Sequence, residues 1–372
     1  MGRGASCQRE NSPIRPRGQM PRRPTVAGSG CAMEVRNSAI RACSAGLRSG
    51  IPQRDHRQWL GKRRGRKLST KVAVAGATGN LGLRIVRALA KTDALIIALA
   101  RTGTAEEKLT ALRTAGAQVE AVDFGNKEET ASMLDGVRCV VSTLQGLADV
   151  ILQTQSRLLE AVVEASVPRF IPSDFATDFR QLPAGENRNF DLRRKFHETL
   201  DPAPVRATSI FNGAFAEILA YGTPLLDLKE KSVGYWEDAE WRIDFTTMDD
   251  TAAYTAAVAM DESTPPALHI SSFSVSPQDI AATAEKVLGT SFTLKRMGSL
   301  EDLRSQNKRE RAAHPEGERD LYASWQQGQY LQSMFSTHHP KSDNDRYPGL
   351  SWTSLEQVLT GVFNRKTQQE SA

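Results

Sequence analysis

The residues of this 372-residue chain with the most specific chemical spacing are three glycines in the run Gly76-Ala77-Thr78-Gly79-Asn80-Leu81-Gly82. A short β-branched segment (71–75) precedes the run, and a segment with helical spacing follows it. Phosphates bind well in such a turn. The first glycine permits the tight bend, the second lets backbone approach a pyrophosphate, and the third allows close helix–strand packing. The helix N-terminus then offers unpaired N–H groups and the positive end of its dipole. Thr78, Asn80 and Leu81 belong to the same turn. A plain tight turn is the bland alternative, and the strand, the helix and the alternating units behind them favour the phosphate site. The predicted ligand is a nicotinamide dinucleotide.

The end of the second strand selects between cofactors. An NAD site places an acid there, about 20 residues on, for the ribose hydroxyls. This chain reads Leu99-Ala100-Arg101-Thr102-Gly103-Thr104, with no acid before Glu106. A guanidinium suits a 2′-phosphate, so Arg101 favours NADP(H) over NAD(H). A solvated strand-end charge is its simpler reading. Asp123 and Phe124 end the third strand and are placed to flank the adenine. Residues 143–146, Gln145 among them, end the fourth, near the middle of the cofactor.

A helix over 190–200 carries the titratable candidates. Leu192, Phe196 and Leu200 form its apolar stripe, and Asn189, Arg193 and His197 fall four apart on an adjacent face that can look into a cleft. Lys195 and His197 are the candidates for proton transfer. Their structural alternatives are an exposed ion pair between Asp191 and Lys195 and a partly exposed surface histidine at His197. Other chemistries find no support. There is no GxSxG elbow, no HExxH and no CxxC, and His338-His339 has no second ligand cluster, so no metal site is expected. Cys139 reads as a small buried hydrophobe in a strand.

Strands must hold these residues, and the pattern supplies them. Apolar runs at 71–75, 94–100, 118–122, 137–142 and 169–172 alternate with helical segments at 80–91, 105–114, 127–134 and 149–165. Continuous apolar strands with short connections predict an α/β fold: a doubly wound parallel Rossmann sheet covered on both faces. Beyond Asp174 the rhythm loosens. A loop is expected at 182–189 and strands at 205–210, 241–246 and 268–271. Helices are expected at 250–260, 277–288, 301–313, 321–335 and 354–363. These form a smaller C-terminal α+β lobe, so the folded body spans 69–365 and 366–372 is a tail.

Residues 1–68 stand apart. They carry 16 of the 48 Lys and Arg but 3 of the 43 Asp and Glu, so the body beyond them is net acidic and a poor surface for direct nucleic-acid binding. The arm is rich in Arg, Ser, Gly and Pro and is predicted to be disordered, as either an organelle transit peptide or a spurious extension. The location follows the arm: cytoplasmic, or chloroplast or mitochondrion if it is a transit peptide. No apolar run reaches the ~20 residues of a membrane helix.

The glycine turn, Arg101, Arg169-Phe170-Ile171-Pro172-Ser173-Asp174-Phe175 and Ser209-Ile210-Phe211-Asn212-Gly213 together resemble the NmrA-like family of atypical short-chain dehydrogenase/reductases, which includes the isoflavone reductase-like enzymes. The resemblance implies cofactor roles for Gly76, Gly79, Gly82 and Arg101, places Phe175 beside the nicotinamide and sets Asn212 in the cofactor cleft. It also makes 244–250 a return into that cleft. Two departures matter. No tyrosine has a lysine four residues later, so the Tyr-x-x-x-Lys pair is missing. The isoflavone reductase-like enzymes carry a lysine just before an Arg-Arg pair; here Arg193-Arg194 is present, but Asn189 or Asp191 takes the lysine's place. The implied function is an NADPH-dependent oxidoreductase acting on a small aromatic or quinone-like acceptor, with Phe211, Phe215, Trp236 and Trp241 as candidate pocket walls, though core packing explains each of the four at least as well. The alternative is a non-catalytic redox sensor that binds NADP(H) and a regulatory protein partner.

Overall fold

Alternate residues of a strand point to opposite faces, and in the first strand both faces are covered. The structure, a computed structural model, describes residues 69–339 and 341–370, the last six by backbone alone. The basic arm and both readings of it lie outside the described residues. In β1 (Lys71–Ala75), Val72 and Val74 enter one core and Ala73 and Ala75 the other. In β2 (Leu95–Arg101), Ile96 and Ala98 go one way, Ile97 and Leu99 the other. With β3 (Gln118–Val122), β4 (Cys139–Ser142), β5 (Arg169–Ile171) and β6 (Arg206–Ala207) they form a parallel sheet in the order β3-β2-β1-β4-β5-β6. The order reverses between β1 and β4, and in open sheets that switch point is where ligands bind.

Helices close both faces. On one side lie α1 (Asn80–Leu89) and α2 (Glu106–Thr114), and α6 (Met248–Met260) packs directly on α1. Ile85, Val86 and Leu89 of α1 are fully buried, a contribution of roughly 1.5–3 kcal/mol each. The small Ala252, Ala256 and Ala259 of α6 share their core. On the other side lie α3 (Lys127–Met133), α4 (Gln155–Glu164) and α5 (Arg188–Leu200), with Leu158, Val162, Phe196 and Leu200 in one core.

The second half of the body builds smaller sheets. β7 (Ser209–Phe211) pairs with β11 (Ala267–His269). β8 (Ala214–Phe215), β10 (Ile243–Thr246) and β12 (Phe273–Val275) form a three-stranded sheet, and β9 (Ser232–Trp236) pairs with β13 (Thr293–Gly298). Around them lie α7 (Pro277–Leu288), α8 (Leu300–Ala313), α9 (Ser324–Met334) and α10 (Leu355–Glu370), over a core that includes Leu226, Val233, Phe245, Ile280 and Leu359. No helix among the described residues is long and apolar enough to cross a membrane.

Three expectations need correction. The strand expected at 205–210 divides at Thr208. Its N–H still donates to Phe170 of β5, but that of Ser209 donates to Pro266, so the chain leaves the main sheet for β11. The helix expected at 149–165 begins with a turn of π-helix at Asp149–Thr154 before α4. The loop expected at 182–189 ends early, because Asn187 caps α5 by accepting the N–H of Phe190. β9 and β13 were not anticipated; Gly234 and the polar, exposed β13 break the apolar pattern that marks a strand.

Candidate functional site

The glycine turn leaves the carboxyl end of β1 at the switch point. Gly76 has φ +77°, and a Cβ on it would lie 2.8 Å from the carbonyl oxygen of Thr143 at the end of β4. A Cβ on Gly82 would lie 2.4 Å from the Gly76 carbonyl. The two glycines therefore let the turn close against both α1 and β4. Gly79 is the N-cap of α1 and makes no side-chain capping bond. The first N–H groups of the helix have no intrahelical acceptor and face the turn. This cradle fits a pyrophosphate, and no side chain fills it.

The turn forms one end of a cavity of about 880 Å³, toward the upper end of the roughly 300–1,000 Å³ of small-molecule sites. Gly76, Thr78, Gly79, Asn80, Leu81, Gly82, Arg101, Phe124, Gln145 and Phe175 all line it. Arg101 sits at the end of β2 with no ion pair among the described residues. Val150 and Thr154 of the π-helical turn add to the wall. Two expected cofactor residues do not reach it. The Asp123 carboxylate turns back to accept the Gly125 N–H at 2.8 Å. Asn212 is fully buried; its backbone N–H donates to Ala176 and its carbonyl accepts the Thr246 hydroxyl at 2.7 Å, while its side-chain amide has no hydrogen-bond partner among the described residues.

The opposite end is lined by Ser173, Phe190, Arg193, Phe215, Met248, Tyr330, Ser333 and Met334. Its shape depends on the loop after β5. Gln155 of α4 accepts both the Ser142 hydroxyl at 2.6 Å and the Ser173 N–H at 3.1 Å, tying the ends of β4 and β5 together. The Ser173 hydroxyl donates to Leu144. Of 244–250, Met248 lines the cavity, whereas Asp244 accepts the His339 N–H and Asp250 holds Ser272 and Thr353.

The Arg-Arg pair on α5 divides its work. Arg193 lines the cavity and donates to the carbonyls of Ser173 and Asn189, both at 2.9 Å. Arg194 points away; it pairs with Asp191 and donates to the carbonyls of Phe179 and Leu182. Asp191 therefore does not pair with Lys195. Lys195 is 62% exposed, pairs with Glu198 one turn on, and lies outside the cavity. Asn189 is buried beside the site, with a neutral amide where the resemblance implies a lysine.

His197 is neither a surface residue nor a cavity residue. Its Nε2 lies 2.7 Å from the fully buried Asp174 carboxylate and its Nδ1 2.9 Å from Asp201. Asp174 also accepts the Ser209 hydroxyl at 2.8 Å. Burial alone would lower the His197 pKa, but the bonds and charges of Asp174 and Asp201 outweigh it and raise it to about 9. The cluster clamps α5 to β5 and β7. Among the proposed aromatic walls only Phe215 lines the cavity. Phe211 and Trp236 belong to buried cores, and the Trp241 ring N–H donates to Met334. No metal-binding cluster occurs among the described residues. Tyr221, Tyr322 and Tyr330 also line the cavity and carried no sequence signal, because nothing local marks a tyrosine on 221–224 or α9 as facing a turn at Gly76.

A family model described as "NmrA-like family" matches residues 69–325. Pinoresinol reductase 1 of Arabidopsis thaliana is 31% identical over 211 residues, which are 52% of this chain and 66% of that protein. The chain thus spans just under two thirds of that relative's length. A phenylcoumaran benzylic ether reductase of Betula pendula is 28% identical over 59% of this chain and 75% of its own. Among solved structures, an isoflavone reductase matches with TM-score 0.67 and 18% identity over 79% of this chain and 99% of that one. An NADPH-dependent quinone oxidoreductase of Escherichia coli, complexed with NADPH, matches with TM-score 0.59 and 20% identity over 79% of this chain and all of that one. At these identities the structures establish a shared fold.

Proposed function

The chain belongs to the NmrA-like family, and on that footing we propose that it is an NADPH-dependent oxidoreductase that passes hydride to a small aromatic or quinone-like acceptor. The observation that carries this reading is the single cavity running from the glycine turn and Arg101 to a wall of Phe175, Phe215, Tyr330 and Met334. Bound there, the cofactor supplies the hydride. The protein's part is to hold and to orient. The turn and the α1 N-terminus take the pyrophosphate. Arg101 takes the 2′-phosphate, Phe124 and Gln145 follow the cofactor body, and Phe175 lies beside the nicotinamide. Relatives named as reductases, and a structural relative named for NADPH and quinones, support the assignment.

The neutral Asn189 narrows the chemistry. Cleaving a benzylic ether develops charge on oxygen that a protein acid must relieve. A quinone delocalises its product anion and needs less help, so quinone-type reduction is the better match. The test follows NADPH oxidation at 340 nm with a panel of quinones and aromatic carbonyl acceptors, beside binding titrations of NADPH and NADP+. Saturable turnover with preference for NADPH over NADH is expected. Tight NADP+ binding with no turnover on any acceptor would overturn the enzyme reading in favour of a binding-only sensor.

A further inference from the structure

We propose that Tyr330 is the proton donor of this site and that Asn189 is its positioning residue; the inference rests on the oxidoreductase reading and names the group that completes it. Asn189 Oδ1 lies 3.0 Å from Arg188 Nε, and a guanidinium only donates, so that atom is the amide's acceptor. Arg188 is itself fixed by the carbonyls of Gly317 at 2.8 Å and Asp320 at 2.9 Å. The Asn189 amide NH2 is thereby turned to Tyr330, donating to its Oη at 2.9 Å. With that lone pair occupied, the phenol's own proton has no acceptor among the described residues and the group lines the cavity. The Phe190 ring meets the Tyr330 ring edge-on at 5.4 Å and holds its plane.

Other groups on this wall are unsuited to the role. Ser173 spends its proton on Leu144, and Arg193 holds two carbonyls and stays charged. Tyr221 and Tyr322 also line the cavity but are 69% and 64% exposed, and their hydroxyls have no side-chain partner among the described residues. Tyr330 alone among the lining phenols is half-buried and oriented.

The step balances simply. The acceptor gains hydride with its electron pair from the cofactor and a proton from Tyr330 Oη onto its carbonyl oxygen. The O–H bond breaks, the new O–H forms on the acceptor, and the phenolate takes a proton back from solvent. As the phenolate develops, the Asn189 N–H already directed at Oη donates to it. A neutral amide in the lysine's place therefore acts through a second residue, from a helix 141 positions away.

The experiment compares wild type with Tyr330→Phe and Asn189→Leu. Tyr330→Phe is expected to bind NADPH within about twofold of wild type while kcat falls by roughly tenfold to 10²-fold, at or below the lower end of general acid catalysis because the quinone product anion is delocalised. Asn189→Leu should lower kcat while KM for NADPH stays within about twofold of wild type, and Asn189→Gln should restore part of the rate, a split that a purely packing role would not cause. A Tyr330→Phe enzyme with wild-type kcat overturns this role and leaves the oxidoreductase reading standing. Wild-type protein that reduces no acceptor overturns both. If Tyr330→Phe does not fold, Asn189→Leu decides: lowered kcat with an unchanged KM for NADPH supports the role, and unchanged kcat refutes it.

Discussion

Replacing His197 with glutamine removes the cation that fastens α5 to the sheet, and the structure sets both the size and the pH window of the effect. Burial opposes the imidazolium, but Asp174 at 2.7 Å and Asp201 at 2.9 Å overcome it and raise the pKa from 6.5 to about 9. A group with a raised folded-state pKa contributes stability that is fully present below its unfolded pKa and lost as pH rises through the folded one. The window is therefore pH 6.5 to about 9. At about 1.4 kcal/mol per pH unit the interval corresponds to roughly 3 kcal/mol. The Asp201 side chain is 72% exposed and its part is screened, which leaves about 2–3 kcal/mol. Urea denaturation between pH 6 and 10 measures it. Wild type should lose this amount across the window, and His197→Gln should be less stable at pH 6 and nearly flat beyond it. The replacement also leaves Asp174 with only Ser209 as side-chain donor, a loss that does not depend on pH, so the slope is the signature. Parallel curves for the two proteins would refute the clamp.

Three further outcomes follow from the site. Arg101→Ala should weaken NADPH binding by roughly 10- to 100-fold, the worth of a charge-assisted contact of about 1.5–3 kcal/mol, and leave NADH within about twofold; calorimetric titration distinguishes this from an equal loss of both, which would contradict the 2′-phosphate role. Gly82→Ala sets a Cβ 2.4 Å from a backbone oxygen, so chemical denaturation should show a loss of about 1–3 kcal/mol and NADPH affinity should fall with it; an unchanged midpoint would mean that α1 shifts freely against β1. Lys195→Ala should leave kcat unchanged, because the residue faces solvent beside Glu198; a large drop in steady-state rate would restore it as the catalytic base or acid.

The glycine-turn end of the cavity was legible because its parts are local. Strand, turn and helix run consecutively from Lys71 to Leu89, and backbone sterics at Gly76 and Gly82 demand the residue types the sequence shows. Arg101 and Phe124 were legible too, since the end of a parallel strand faces the switch point wherever the neighbouring strands lie. The α5 stripe of Leu192, Phe196 and Leu200 followed from its period. The period did not reveal partners: Asp191 bonds Arg194 rather than Lys195, and His197 lies against Asp174 and Ser209 rather than water.

The sequence by itself determined the parallel sheet, the dinucleotide turn and the preference for a basic group at the second strand's end, because each depends on a short run of neighbours with strong steric or periodic requirements. Only the tertiary structure decided what lines the rest of the cavity. The packing of α9 against α5 brings Tyr330 to Asn189 across 141 positions, and Gln155 draws the ends of β4 and β5 together across the sheet. Asp123, in place along the chain, is turned from the cavity by its bond to Gly125, and Asn212 is buried by the strands packed around it. Residues so far apart in sequence are joined by burial and hydrogen-bond satisfaction, and neither leaves a mark on local spacing.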